Sequence, residues 1–410
     1  MENKVILVWL SLDLENILVG RLWFHAHKGK ESASFEYDLD WLRHAEKFAL
    51  EPSLKLTGGV FHMAATSFAA ISDSAPDRWG RVLMRRAEAK KAKQEKRIAQ
   101  TLLEADYLLG VNDEARQGAL RFSLKSNPDI FLSPKEKNAI PPLIKLAELL
   151  AATEKFLTND ESTEELRLLL APGSSLGGAR PKASIRDLDG RLAIVKFPRK
   201  DDEYNVVLWE AIALDLARQA GIRVPDWRLE RILKKPVLIL KRFDRDYEKR
   251  IPFLSAMSMI GAKDNEEHSY LEIAYSIMQC GAAPEQDLEE LWRRIVFNIM
   301  ISNTDDHLRN HGFLYERYKG WRLSPVYDLN PTPLEIKPRI LSTAINYEDR
   351  SASLELAMSV ISEFRIKKNR ALVISKEVAE AVKNWYETAR KFKLSKSECE
   401  FMASAFGGGG

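Results

Sequence analysis

The chain has 410 residues, 45% of them hydrophobic and 30% charged, with a formal net charge of +3. That length exceeds one ordinary domain, and the composition excludes a disordered or fibrous class. The near-balanced charge argues neither for nor against nucleic acid. Two cysteines in no metal-ligand spacing, Cys280 and Cys399, point to a reduced, cytoplasmic setting.

The opening run carries Glu2, Asp13 and Glu15 where a signal peptide needs unbroken apolar residues. No stretch reaches membrane-spanning length, so no membrane association is expected. The first fifty residues predict short strands in "KVILVWL", "ILVGRLWFHA" and "SASFEY", rich in β-branched and aromatic residues. From "SDSAPDRWGR" to "ADYLLG" the periodicity turns helical, with a proline near the first turn and Asp77 at the positive end of the dipole. The basic run at 85–97 reads either as a solvated helix face or as a phosphate-backbone contact. Two further helices are expected over 140–156 and 162–170, joined by "TNDEST".

From Ala171 the order of elements becomes informative. A small-residue loop, "APGSSLGGARP", precedes two strands in "KASIRDLDGRLAIVKFP" that turn at Asp189-Gly190, the second carrying Lys196. A helix in "EYNVVLWEAIALDLARQAG" ends at Gly221, and a strand pair follows, "DWRLERIL" and "VLILKRF", turning at "KKP". Loop, hairpin with a lysine, helix, hairpin: this is the order of the small lobe of a protein kinase. Beyond Asp244 the chain reads as mainly helical, as a kinase large lobe is. The expected fold is α+β, two-lobed and protein-kinase-like, with an N-terminal β/helix subdomain. Its expected divisions are 1–155, the small lobe 156–247, the helical lobe 248–406 and a flexible tail 407–410.

In "LEELWRRIVFNIMISN" the apolar positions Leu291, Trp292, Ile295, Val296, Ile299 and Met300 keep helical spacing, so one face should be buried. "TDDHLRN" follows, and "HGFLYERYKGWRLSPVYD" reads as a hairpin whose second strand ends at Asp328. Phosphoryl transfer needs a carboxylate to accept the attacking hydroxyl's proton, and oxygen ligands to hold Mg²⁺ against the phosphates. Asp305, Asn310 five positions later, and Asp328 after a hairpin have the order and spacing of those groups in kinases. As bland alternatives, Asp305 or Asp306 caps nearby backbone and Asp328 makes a turn before Asn330-Pro331. His307 and His311, four apart, raise a zinc site, but Leu308 stands where a zinc hydrolase needs its glutamate. Backbone N–H groups of Gly177 and Gly178 can approach phosphates closely. Lys196, with Arg180 and Lys182 nearby, adds positive charge.

Taken in order, "FAAISDSAPDRWGR", "SSLGGARPKASI", "VKFP", "LKRFDR", "SNTDDHLRNHGF" and "SPVYDLNP" resemble the motifs of HipA toxins over nearly the whole chain. The resemblance implies an ATP- and Mg²⁺-dependent serine/threonine kinase of a bacterial type II toxin–antitoxin system. It implies a HipB-like helix-turn-helix antitoxin as partner, operator DNA reached only through that antitoxin, and growth arrest with persistence. The implied substrate is a translation-related protein, with glutamyl-tRNA synthetase, an aminoacyl-tRNA synthetase, as the family precedent.

By position, the resemblance implies Asp305 as proton acceptor, Asn310 and Asp328 as Mg²⁺ ligands, and Lys196 as a phosphate contact. Gly177, Gly178, Ala179, Arg180, Pro181 and Lys182 would form the phosphate loop. His307, Arg309, Asn310 and Tyr327 would line the nucleotide site, and backbone at Lys241 and Phe243 would meet the adenine. Ser175, rather than the adjacent Ser174, would be autophosphorylated. The family's best-known member has an acidic residue at the Lys241 position and glycine at the Asp306 position. The second departure puts another carboxylate beside Asp305. A largely non-catalytic co-repressor module and a small-molecule kinase on the same fold are the competing classes.

Overall fold

The computed structural model describes residues 5–27, 30–63, 67–124, 131, 140–173, 178, 180–263 and 266–406. The chain divides into two compact units, Met1–Lys200 with Glu230–Leu254, and Asp201–Leu229 with Ser255–Gly410.

The first unit begins with an antiparallel five-stranded sheet ordered Val60–Met63, Lys30–Tyr37, Glu15–His27, Val5–Leu12, Leu120–Ser123. The first hairpin turns at Asp13 and Leu14, both at positive φ (45° and 75°), as a tight two-residue turn requires. The stretch expected as helical through "ADYLLG" is two helices, Arg78–Gln94 and Glu104–Gly110. Pro76 lies before the N-cap Asp77 rather than inside the first turn; the Asp77 side chain accepts from the Gly80 N–H. Helices Leu146–Leu157 and Thr163–Gly173 follow. The basic run is partly spent on ion pairs: Arg86 and Lys90 reach Glu161 at 3.2 and 2.9 Å, and Arg97 reaches Glu88 at 2.6 Å.

A second sheet is ordered Lys182–Arg186, Leu192–Lys196, Lys235–Lys241, Trp227–Ile232. Its alternating apolar residues Ile185, Val195 and Ile239 join Trp79, Leu83, Leu149, Leu150, Leu166 and Leu169 in one buried core. The last hairpin turns at Leu233-Lys234, both left-handed (φ 49° and 66°), not at "KKP". Pro236 lies inside the strand Lys235–Lys241. It is tolerated because pairing with Leu192–Lys196 starts only at Leu238. After this strand, the "LKRFDR" residues turn inward. Asp244 accepts from Arg242, Arg245 and the Gly118 N–H, while Arg242 and Arg245 also donate to the Ala115, Arg116 and Gly118 carbonyls. Burial works to raise the Asp244 carboxyl, and the two guanidiniums outweigh it, holding it far below the ordinary range.

The second unit is built around the helix Pro284–Met300. Sequence periodicity predicts one buried face, but from Leu288 the helix is buried on nearly every side. Its polar side chains are neutralised in place: Arg294 donates to Glu290 (2.8 Å) and to the Ser324 carbonyl (2.7 Å), and Arg223 and Arg322 pair with Asp287. Helices Val206–Gln219, Tyr270–Cys280 and Lys368–Lys383 pack against or near it, and the hairpin Gly312–Glu316/Gly320–Leu323 follows it. The hairpin's second strand stops at Leu323, so Asp328 lies beyond it in irregular chain. No helix among the described residues is long and apolar enough to cross a membrane.

Candidate functional site

The candidate residues fall into two sets, one in each unit. In the second unit the central helix stops in a Schellman turn. The Ser302 N–H donates to the Ile299 carbonyl (3.3 Å), and the Asn303 N–H donates to that of Asn298 (2.9 Å). Ser302 takes the left-handed position (φ 50°) where glycine is usual, and its hydroxyl is anchored on the Ala405 carbonyl at 2.8 Å. This abrupt stop delivers Asp305 and Asp306 to one loop with opposite orientations. The Asp305 side chain is 65% exposed. Asp306 is buried, and its Oδ2 accepts three hydrogen bonds, from Tyr270 Oη (2.6 Å), Asn298 Nδ2 (2.7 Å) and His311 Nε2 (2.8 Å).

Burial works to raise the Asp306 carboxyl, but His311, through charge and hydrogen bond, and the Tyr270 hydroxyl hold it below its ordinary range. Burial and the Asp306 charge push the Tyr270 hydroxyl far up, so it remains a donor. The extra carboxylate beside Asp305 thus belongs to the interior.

Asn310 lies in a short turn, Leu308–Asn310, and its Nδ2 donates to the Asp305 carbonyl at 3.0 Å, leaving Oδ1 as an oxygen ligand. His307 and Arg309 are exposed, and Tyr327 donates its hydroxyl to the Arg309 carbonyl at 2.8 Å. Asp328 is left-handed (φ 55°), a conformation uncommon outside glycine, asparagine and aspartate. Its carbonyl accepts from Asn330 Nδ2 (3.1 Å), while the Asn330 N–H reaches Asn303 Oδ1 and Asn303 Nδ2 donates to Asn298 Oδ1 at 3.0 Å. Asn298 therefore links Asp306 on one side to the Asp328 turn on the other. Sequence reasoning missed this asparagine relay, although a polar residue inside the apolar run "IVFNIMISN" was the signal for it. His311 is turned onto Asp306 while His307 is exposed. Among the described residues no three His, Cys, Asp or Glu side chains form a metal-sized cluster.

In the first unit, Lys182 and Lys196 are register partners across the strand pair. Lys182 is buried with its ammonium 3.7 Å from Asp77, and the Pro181 carbonyl accepts from the Phe197 N–H. Gly178 has φ 100°, which a residue with a Cβ rarely adopts. Its carbonyl accepts from the Trp79 N–H (3.3 Å), and Trp79 Nε1 donates to the Lys182 carbonyl (3.0 Å). Asp77 and Trp79, from "SAPDRWGR", thus brace both ends of the Gly178–Lys182 segment, a role the sequence reading did not assign. Arg180 is half-buried. Lys241 pairs with Ala193 in the sheet, and the Phe243 ring lies 6.5 Å from that of Phe253. Ser175, Gly177 and Ala179 lie outside the described residues.

The HipA-like C-terminal domain model matches residues 174–386, more than half of the chain. This chain belongs to that family. HipA of Shewanella oneidensis MR-1, solved with HipB and its operator DNA, superposes over 98% of this chain and 94% of its own with a TM-score of 0.64. At 16% identity that likeness concerns the fold, and the protein-kinase-like α+β class expected from the sequence is the one found. A Haemophilus influenzae protein named "Putative kinase" is 30% identical over 179 residues, 38% of this chain and 52% of that protein. A Sinorhizobium fredii protein named "Putative kinase Y4dM" is 30% identical over 155 residues, 34% of this chain and 37% of its own length. The chain thus spans about half the length, or less, of these relatives.

Proposed function

We propose that this chain is an ATP-dependent serine/threonine protein kinase, the toxin of a HipA/HipB-type pair. The observation that carries the reading is the division of labour within "TDDHLRN". Asp305 is exposed and its own carbonyl is tied to Asn310, while neighbouring Asp306 is consumed by three interior donors. A solvent-facing carboxylate on a loop fixed from below suits proton acceptance from an attacking hydroxyl.

Asn310 Oδ1 and the Asp328 carboxylate are hard oxygen ligands, few in number, as Mg²⁺ prefers when phosphate and water complete its shell. Bound there, the ion would neutralise charge on the phosphates. Lys196 is assigned to the phosphates, with the segment 177–182 as their loop; Lys241 and Phe243 are assigned to adenine through their backbone. Within this reading residues 1–155 form the N-terminal subdomain, 156–247 the small lobe and 248–406 the helical lobe. The acceptor is a translation-related protein, with an aminoacyl-tRNA synthetase as candidate, and Ser175 is the autophosphorylation position. The HipB of the Shewanella complex motivates a helix-turn-helix antitoxin as partner.

The co-repressor reading is weakened where the basic run meets glutamates, as Arg86, Lys90 and Arg97 do. A phosphoproteome after expressing the protein and its Asp305→Asn variant tests the kinase reading. Phosphosites that depend on Asp305 support it. Identical phosphoproteomes, with equal ATP turnover by the two purified proteins, refute it.

A further inference from the structure

Residues 332–343, "TPLEIKPRILST", leave the catalytic loop and return to it. The Thr332 N–H donates to the Ser302 carbonyl at 3.2 Å. At the other end the Ser342 N–H and hydroxyl donate to the Thr304 carbonyl (3.0 and 2.9 Å), and Thr343 Oγ1 donates to the Asp306 carbonyl (2.7 Å). The loop therefore starts on Ser302, three residues before Asp305, and finishes on the carbonyls of the two residues flanking Asp305.

Its middle is braced as well. The Leu334 N–H reaches Ser404 Oγ at 3.0 Å, that hydroxyl donates to Glu335, and Arg339 donates to the Ser404 carbonyl at 3.1 Å. Pro333 and Pro338 fix φ on either side of the tip, where the Ile336 and Lys337 N–H groups both return to the Pro333 carbonyl.

The side chain this frame brings to Asp305 is Lys337, with Nζ 4.0 Å from Oδ1. The loop's other cation, Arg339, is turned to Ser404 instead. At 44% and 65% exposure, the Lys337–Asp305 pair contributes little to stability. A triply anchored loop is a costly way to make an ion pair of so little value. What it does achieve is a positive charge on a flexible side chain, held by a fixed backbone beside the group that takes the acceptor's proton, where a transferring phosphoryl group carries its charge.

We propose that Lys337 contacts the transferring phosphoryl group and is a further catalytic residue. The proposal rests on the kinase reading. In the step, the acceptor oxygen bonds to the γ-phosphorus as the bond to the β–γ bridging oxygen breaks. ADP leaves with that electron pair, the acceptor's proton passes to Asp305, and Lys337 keeps its protons throughout.

The test is single-turnover transfer from radiolabelled ATP with Mg²⁺, on the full chain, for the wild type, Lys337→Ala, Lys337→Arg and Asp305→Asn, each checked by thermal unfolding. Lys337→Ala should lower the maximal rate by about tenfold or more, with the half-saturating ATP concentration within about twofold and Tm unchanged. Lys337→Arg should recover part of that loss. An alanine rate within about twofold of wild type, a faster rate, or a loss that arginine leaves as large overturns the proposal. Asp305→Asn separates the two levels. If that variant is active, the proton-acceptor reading falls. If it is inactive while Lys337→Ala is fully active, the Lys337 role alone falls.

Discussion

Replacing Asp306 should damage the fold far more than replacing its neighbour Asp305. In Asp306→Ala, Tyr270 Oη, Asn298 Nδ2 and His311 Nε2 lose their common acceptor at a position buried from water. Each orphaned donor costs about 1–3 kcal/mol, and removing one partner from a buried charged cluster costs about 3–5 kcal/mol. The two figures describe the same loss, so about 3–5 kcal/mol is expected rather than their sum, a large share of an ordinary domain's roughly 5–15 kcal/mol.

Asp306→Asn is gentler. All three donors converge on Oδ2, so an amide oxygen there keeps the geometry and loses only charge assistance, at about 1–3 kcal/mol in total. Asp305→Asn, on an exposed side chain, should lie within about 0.5 kcal/mol of wild type. Urea unfolding followed by tryptophan fluorescence reads both units, since Trp9, Trp23, Trp41 and Trp79 lie in the first and Trp209, Trp292 and Trp385 in the second; the change in midpoint, at constant slope, of the transition that moves between variants gives the energy. An Asp306→Ala protein within about 1 kcal/mol of wild type at neutral pH would mean the cluster does not hold the loop.

The stabilisation from ionised Asp306 has a defined pH dependence. Its folded pKa is depressed, so the contribution is present above the unfolded value of about 3.9 and is lost as pH falls through the folded value. The stability gap between wild type and Asp306→Asn should therefore shrink below about pH 4, measured by urea midpoints across an acid series; a gap that widens there contradicts the assignment. Asp328→Asn keeps a residue that tolerates the left-handed backbone while removing the charge, so it should fold normally yet abolish the tightening of ATP binding by Mg²⁺ in calorimetry. Asn303→Ala cuts the relay between Asn298 and the Asn330 N–H and should weaken that Mg²⁺ coupling about tenfold without touching a proposed ligand; unchanged coupling shows the Asp328 turn is set locally.

Local chemistry made part of this fold legible. Strands rich in Val, Ile and aromatic residues and the Asp189-Gly190 turn depend on neighbours in sequence, as does the Asp305/Asn310/Asp328 spacing on which the proposed site rests. What was not legible depends on partners far away. The helix Pro284–Met300 reads as amphipathic because Asp287, Glu290 and Arg294 look solvent-facing. They are buried because Arg223, Ser324 and Arg322 arrive from other segments to satisfy them. "KKP" looks like a turn from composition, yet the left-handed pair is Leu233-Lys234, two residues without the usual turn preference. Asp305 and Asp306 are chemically identical in the sequence. Only the positions of Tyr270, Asn298 and His311 decide which carboxylate faces water.

The polar groups beneath the loop explain how so exposed a carboxylate can be held in place. Apolar packing alone would leave the backbone at 302–306 free to settle in several ways, since a hydrophobic contact has little direction. Hydrogen bonds do have direction, and here they fix the segment from three sides. The Schellman turn sets where the helix stops, Asp306 plugs a three-donor interior site, and Ser342 and Thr343 hold the Thr304 and Asp306 carbonyls. The Asn298–Asn303–Asn330 chain then ties this fixed loop to the turn carrying Asp328. Two positive-φ residues lie next to that relay, Ser302 beside Asn303 and Asp328 two residues before Asn330. Each is less favourable alone than an ordinary conformation. Both persist because the amide relay and the Ser302–Ala405 hydrogen bond over-determine the backbone around them. The proposed base and metal ligand are thereby held by one continuous set of directional bonds, which is the preorganisation that phosphoryl transfer requires.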